Sequence, residues 1–370
     1  MFTPGHREPG GAARRSRLLA SALAARGWDV RVVTRAGTLF RPAVTRSSNL
    51  TVIEIPGFRS RRLGAVLFLT GAIPLGLLWG TRARALIAIQ LASPSTAAAL
   101  CSIGLRRPYI ALATTSGRLS ETAYVTNQRF AGVRRWLLGR AAFVGAQTDA
   151  VASELAQLVD EERVVVVPNP VERVVPPPLS GAPRALYTGR LSEEKDLVRL
   201  LEAWRVIAAE NSGALLTLAG SGGGYRSVED ELHRLVSSDP VLTASVRFTG
   251  WVADVRPLLA ESDLYVFPSL SEGMSNALLE ACAWHRVVVA SDIPSNCALL
   301  GDDYPLLFKA GDTVSLVETV QRALNDEEAR VQALACLATR IGPYFVDGVV
   351  TRLEELLALA GSSSRSGGRN

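Results

Sequence analysis

The stretch that decides the fold is SVRFTGWVADVRPLLAESDLYVFPSLSEGMSNALLEACAWHRVVVAS, residues 245–291. Three apolar runs, SVRFTG (245–250), LYVFPS (264–269) and RVVVAS (286–291), are of strand length and rich in Val, Phe and Tyr. The gaps between them are of helix length. Parallel strands need a crossover, normally a helix, and a sheet covered on both faces reads as continuous apolar runs. The stretch is therefore strand–helix–strand–helix–strand in an α/β domain with a parallel sheet.

The same rhythm extends outward. RALYTG (184–189) and ALLTLAG (214–220) precede the stretch, and an earlier series runs through DVRVVT (29–34), LTVIEI (50–55), ALIAIQ (85–90), YIALAT (109–114), AAFVGA (141–146) and RVVVVP (163–168). Between the two series lies VERVVPPPLSGAP (171–183), whose prolines stiffen an extended connection. Two series predict two doubly wound Rossmann-like domains facing across a cleft, with ligands beyond the carboxyl ends of the strands. The expected divisions are residues 1–175, residues 176–342, a helix over 343–360 packing back on the first domain, and an unstructured tail over 361–370. The opening MFTPGHREPGG reads as the last two residues of a strand, Phe2 and Thr3, then a glycine-rich turn into a helix. The expectation is a late start codon or a truncated chain.

Composition narrows the class. The 370 residues are 48% hydrophobic and 20% charged, which describes a folded chain too long for one ordinary core. Net charge is +5 and the isoelectric point about 9.3, favouring an anionic partner: phosphate esters, an acidic membrane face or nucleic acid. The four cysteines form no C-x-x-C pair, and the three histidines have no cluster of ligand partners, so no structural zinc site is expected. No secretory signal opens the chain, which points to a reducing cytoplasm. LGAVLFLTGAIPLGLLWGT (63–81) carries no charge and is flanked by RSRR and RAR. Its length just reaches a membrane span, but its glycines, Pro74 and its place between two strands favour a packed or surface-docked helix. Docking of residues 59–84 on an anionic bilayer suits the basic flanks.

Four motifs stand at strand ends. In PGHREPGGAARR, Gly10 and Gly11 precede a helix whose free N–H groups favour an anion. In YTGRLSEEKDLVRLLEAW, Arg190 and Lys195 could hold a diphosphate, or Glu193 and Glu194 could simply neutralise them. In LTLAGSGGGYR, the glycines from Gly220 could admit a nucleotide or form a flexible loop. In SEGMSNALLEA (271–281), Glu272 precedes a helix starting near Ser275 or Asn276, and Glu280 lies inside it. The bland accounts are a cap for Glu272 and a helical ion pair for Glu280. Yet Glu280 sits in a segment apolar enough to be buried, where an acid needs hydroxyl or amide partners. Two acids up to about 12 Å apart along a helix could bracket an extended, hydroxyl-bearing ligand.

Together with VVVVPNPVE, VRFTGWVADVRPLLAESDLYVFPS and VVVASDIPSN, these motifs resemble, in order along roughly residues 4–360, the family-4-type retaining glycosyltransferases of the GT-B fold, the glycosyl transferases group 1. The resemblance implies a nucleotide-diphosphate sugar as donor, a saccharide or lipid-linked acceptor, no nucleic-acid partner, no cofactor and no metal. It implies that Arg190 and Lys195 neutralise the departing diphosphate, that Glu272 lies near the sugar, and that Glu280 bonds the ribose hydroxyls. Backbone N–H groups of Gly273, Met274, Ser275 and Asn276 would lie beside sugar and phosphates. Gly250, Trp251 and Val252 would flank the base, Gly189 and Gly220 would line the donor site, and Gly10 and Gly11 would meet the diphosphate as the cleft closes. No D-x-D triad stands near a strand end, and no carboxylate is assignable as a covalent nucleophile. A same-face substitution assisted by the leaving phosphate is therefore expected.

Departures from the family pattern are Thr115 and Ser116 where many relatives have an acceptor-side histidine, Asn296, Cys297 and Ala298 where a glutamate is common, and His285, Arg286 and Val287 in place of glycine-x-proline. The expected location is the cytoplasm, on the inner face of the cell membrane if the 59–84 segment docks. Competing readings are a catalytically silent sugar-nucleotide-binding subunit and a GT-B nucleotide-sugar epimerase.

Overall fold

The fold is that of a computed structural model describing residues 1–6, 10–36, 42–57, 61–114, 125–126, 130–181, 183–222 and 226–366. It has two compact units, Met1–Pro170 with Tyr344–Asn370, and Val171–Pro343.

The first unit is built on β1 (Phe2–Thr3), β2 (Val30–Arg35), β3 (Ala43–Ser47), β4 (Leu50–Ile55), β5 (Leu86–Ile89), β6 (Tyr109–Leu112), β7 (Phe143–Ala146) and β8 (Val164–Val166). Their order is β3-β4-β2-β1-β5-β6-β7-β8. Every pairing is parallel except β3 with β4. The two-residue β1 is central, with Phe2 opposite both Val33 and Ala88. Period-two alternation sends Val33, Leu86, Ala88 and Ala111 to one core layer. It sends Val32, Ile87, Ile89 and Ile110 to the other.

Helix α1 (Gly11–Ala25) follows β1. Helix α2 (Arg61–Gly80) packs along α3 (Ser93–Leu105) and over β2 and β4. Its glycines allow the close approach. A Cβ on Gly76 would lie 2.7 Å from the Phe2 ring and 2.6 Å from Cys101 Sγ. The 63–81 segment is thus a packed helix with one face left in solvent, where Leu63, Val66, Leu67 and Leu78 are exposed.

The C-terminal helix Val346–Ser366 lies on the first unit, burying Val349, Val350, Leu353 and Leu356 with Leu19 and Leu23. It runs past residue 361, where the sequence suggests an unstructured tail. Extending an existing helix costs only one residue's ordering per hydrogen bond gained, and Ser362 Oγ bonds back to the Leu359 carbonyl at 2.8 Å. Glu354 accepts 2.7 Å bonds from Trp28 Nε1 and Arg26 Nη1. The Trp28 bond, then Arg26, hold its carboxyl below the usual carboxylate range, against the opposing effect of burial. A lowered folded value stabilises the fold above the unfolded pKa, about 4.3 for Glu. The contribution is lost as pH falls through the folded value. Glu354→Ala is expected to cost about 1 kcal/mol at pH 7, discounted for partial exposure, and less at pH 3. Denaturant unfolding at both pH values checks this; an equal cost at both would contradict it.

The second unit has β9 (Arg184–Thr188), β10 (Leu215–Ala219), β11 (Val246–Gly250), β12 (Leu264–Phe267), β13 (Val287–Ser291) and β14 (Leu307–Phe308). All pair in parallel, in the order β11-β10-β9-β12-β13-β14. The proline-rich connection is fastened to this sheet. Arg286, 1% exposed, donates to the carbonyls of Pro177 (2.6 Å), Trp284 (2.8 Å) and Ser262 (3.0 Å). Asp263 accepts from the Ser180 N–H and hydroxyl, both at 2.7 Å. The arginine in place of the glycine-x-proline thus holds the connection.

Candidate active site

In the second unit the strand order reverses between β9 and β12. The connections depart to opposite sides there, which opens a crevice outside the carboxyl ends of these two strands. Lys195 follows β9 and Glu272 follows β12, so each wall supplies one charge.

Lys195 closes the 3-10 turn Glu193–Lys195, and Asp196 then takes a left-handed conformation (φ 52°) to start the helix Leu197–Glu210. The turn is braced by Leu191 N–H to the Ser221 carbonyl and Lys195 N–H to the Ser192 carbonyl. Lys195 is 8% exposed, and its Nζ stands 5.8 Å from the Phe267 ring centre. It pairs with Glu272 Oε1. The same oxygen accepts the Ser269 hydroxyl at 3.1 Å.

Glu272 therefore does not cap the following helix. Ser275 does, accepting from Leu278 N–H at 3.2 Å ahead of the helix Asn276–Ala283. Gly273, Met274, Ser275 and Asn276 are all partly accessible at this helix start. Glu280, 8% exposed, lies among buried Leu279, Ala281 and Cys282.

The ends of β9, β10 and β11 are joined through backbone. Gly189 N–H donates to the Ala219 carbonyl at 3.0 Å, and Gly220 N–H to the Gly250 carbonyl at 2.9 Å. Gly220 permits this contact, since a Cβ there would fall 1.7 Å from the Gly189 carbonyl oxygen. Gly250 turns the chain with φ 66° and is followed by Trp251, 58% exposed, and the partly accessible Val252.

Arg190 is placed differently from Lys195. Its guanidinium is largely exposed and pairs with Glu194 at 2.9 Å, as the neutralising alternative expects for this residue. Burial pushes the Glu194 carboxyl up, but its own backbone N–H, Ser192, Arg190 and Lys195 together hold it below its usual value. Gly10 and Gly11 belong to the first unit, where Gly10 precedes α1 with φ 134°. Thr115 and Ser116 lie outside the described residues. Sequence reasoning missed Ser269, and also Arg15, which is 1% exposed and donates to the Ala113 and Val167 carbonyls at 2.6 Å each. Neither stands in a pattern that marks it.

Lys195, the glycine-lined strand ends and the capped helix start together suit an extended anionic ligand. Glycosyl transferases group 1 as a family matches residues 182–326, and the glycosyl transferase 4-like domain matches residues 10–170. Among curated proteins, the lipopolysaccharide core biosynthesis glycosyltransferase LpsE of Rhizobium meliloti is 29% identical over 48% of this chain and 51% of its own. The UDP-Gal:alpha-D-GlcNAc-diphosphoundecaprenol alpha-1,3-galactosyltransferase of Escherichia coli is 25% identical over 45% of this chain and 43% of its own. The chain thus spans about half the length of these relatives. Among solved structures, Anabaena Alr3699/HepE in complex with UDP-glucose superposes with a TM-score of 0.75 at 18% identity, covering 96% of this chain and 98% of the other. Sucrose-phosphate synthase from Thermosynechococcus elongatus gives 0.77 at 19% identity, covering 98% and 96%. These likenesses fix the fold as GT-B. With both halves of the pattern matched in order, the chain belongs to the group 1, family-4-type glycosyltransferases.

Proposed function

We propose that this protein transfers a sugar, with retention of configuration, from a nucleotide-diphosphate donor to a saccharide or lipid-linked acceptor of the cell envelope. The observation that carries the reading is Lys195 paired with Glu272 across the crevice between β9 and β12. Donor binding would exchange the carboxylate partner of Lys195 for the diphosphate, placing the cation where leaving-group charge develops. Glu280 would hold the ribose hydroxyls, and the exposed Trp251 would flank the base. Retention without a covalent intermediate is supported by Glu272 Oε1 being held by the Ser269 hydroxyl, a bond that the exchange at Lys195 leaves in place. The leaving phosphate would then take the acceptor proton. The reaction is proposed to need neither metal nor cofactor. Envelope acceptors are supported by relatives named for lipopolysaccharide core biosynthesis and for a diphosphoundecaprenol-linked acceptor.

The same reading places the enzyme on the cytoplasmic face of an anionic membrane, docked through the exposed side of α2. Leu63, Val66 and Leu78 are each more than half exposed, and Leu100 and Ile103 of α3, the helix packed against α2, are 40% and 41% exposed. The sequence holds no acidic residue between Glu54 and Glu121, while arginines recur at 59, 61, 62, 82, 84, 106, 107 and 118.

Two measurements test this. A panel of UDP-, GDP-, ADP- and dTDP-linked hexoses should include one that raises the melting temperature and is turned over or hydrolysed. Stabilisation without turnover with any acceptor would favour the silent-subunit reading. For membrane docking, vesicles containing anionic lipid should float the protein at low salt, and Val66→Glu/Leu78→Glu should reduce the bound fraction by about tenfold or more. Equal flotation of wild type and variant would remove α2 as the docking element.

A further inference from the structure

Behind Glu272 stands a row of buried polar groups. Asn296, 1% exposed, donates from Nδ2 to the Ser291 carbonyl at 2.9 Å and to its hydroxyl oxygen at 3.2 Å. The Ser291 hydroxyl, wholly buried, donates to the Ser269 carbonyl at 2.5 Å. Ser269, also wholly buried, donates its own hydroxyl to Glu272 Oε1 at 3.1 Å.

The direction of every link follows from proton count. A hydroxyl has one hydrogen and two lone pairs. The hydrogen of Ser291 is committed to Ser269, so its oxygen accepts from Asn296. The hydrogen of Ser269 is committed to the carboxylate. Three elements converge here: the segment after β12, the last residue of β13, and the helix Pro294–Leu300. The Ser269 carbonyl lies beyond the end of β12 and needs a partner off the sheet ladder, which Ser291 supplies. Pinning that carbonyl fixes the backbone three residues before Glu272.

The carboxylate is also held unevenly. Lys195 and Ser269 both bond Oε1, and among the described residues no hydrogen bond reaches Oε2. We propose that Asn296, Ser291 and Ser269 are positioning residues for Glu272, anchoring its carboxylate through Oε1 and leaving Oε2 to accept a hydroxyl of the donor sugar. This rests on the sugar-nucleotide reading of the site. It also gives Asn296, present where the sequence departs from the family pattern, a role carried through two serines.

The test separates the sugar from the nucleotide. Binding is measured calorimetrically for the hexose nucleotide that most stabilises the wild type in the four-base panel, and for its free nucleoside diphosphate. Ser269→Ala and Asn296→Ala should each weaken the nucleotide sugar about tenfold while leaving the nucleoside diphosphate within about twofold. In a Glu272→Ala background, adding either substitution should change nothing further, because the group being positioned is gone. Ser269→Ala removes one atom, and unchanged diphosphate affinity certifies that a variant is folded. A parallel loss for both ligands, or a loss that persists without Glu272, would overturn the positioning role and assign the row to packing alone. Failure of the wild type to bind any nucleotide or nucleotide sugar would instead overturn the transferase reading, and this role with it.

Discussion

Lys195→Ala is expected to lower turnover by about 100- to 1,000-fold, the usual cost of removing a donor aimed at developing charge. The lysine is nearly buried and held at one wall of the crevice, so no mobile surface cation can substitute for it. Its loss also leaves Glu272 facing an incoming diphosphate with like charge, which raises the donor KM. The companion variant separates these effects. Lys195→Ala/Glu272→Gln should recover affinity for the free nucleoside diphosphate, because the unpaired carboxylate is gone, without recovering kcat. Lys195→Arg is not a rescue, since a planar fork cannot replace a point charge packed 5.8 Å from the Phe267 ring. Steady-state kinetics with a thermal melt of each variant reads all three. Wild-type-like kcat in a folded Lys195→Ala protein would refute the diphosphate role.

Gly220→Ala is expected to be the most damaging single-atom-scale change in the second unit. The added Cβ would lie 1.7 Å from the Gly189 carbonyl oxygen and 2.9 Å from its carbon. Both are backbone, so no side chain can swing away. Either β10 or the segment after β9 must shift, at a cost of about 3 kcal/mol. The shift also propagates to the site, because Gly189 leads directly into Arg190 and Lys195. Denaturant unfolding should show an earlier transition, with nucleotide affinity lost in the same variant. An unchanged midpoint would mean that the strand ends are looser than their hydrogen bonds indicate. By contrast, Gly10→Ala meets no atom within 4 Å and is strained only through its positive φ.

Much of the fold is legible in the chain because its strands are buried on both faces. Leu86–Ile89, Tyr109–Leu112 and Leu264–Phe267 are wholly buried and read as unbroken apolar runs. The helix start at Ser275 is legible too, since capping is a local matter of one hydroxyl and one N–H. The edge strand Ala43–Ser47 is not. All five of its residues are exposed, so it has no apolar signature and exists only through pairing with β4.

The site divides in the same way. Residue type and order along the chain mark Lys195, Glu272 and Glu280 and connect them with the family. Which acid each cation meets is a different matter. Glu193 and Glu194 are adjacent to Lys195 in sequence, yet its partner is Glu272, 77 residues away, while Arg190 takes Glu194. Spacing along a chain cannot rank such partners, because the choice depends on which strand ends the sheet brings side by side. The Asn296–Ser291–Ser269 row is hidden for the same reason: two serines and an asparagine carry no pattern until β12 and β13 pair. By itself, then, the sequence determined the alternating α/β architecture, the helix starts and the chemical types gathered near the strand ends, since these follow from local burial and capping. Only the tertiary structure decided which charges pair, which oxygen of Glu272 is held, and which face of α2 is left open, since those depend on distances between elements far apart along the chain.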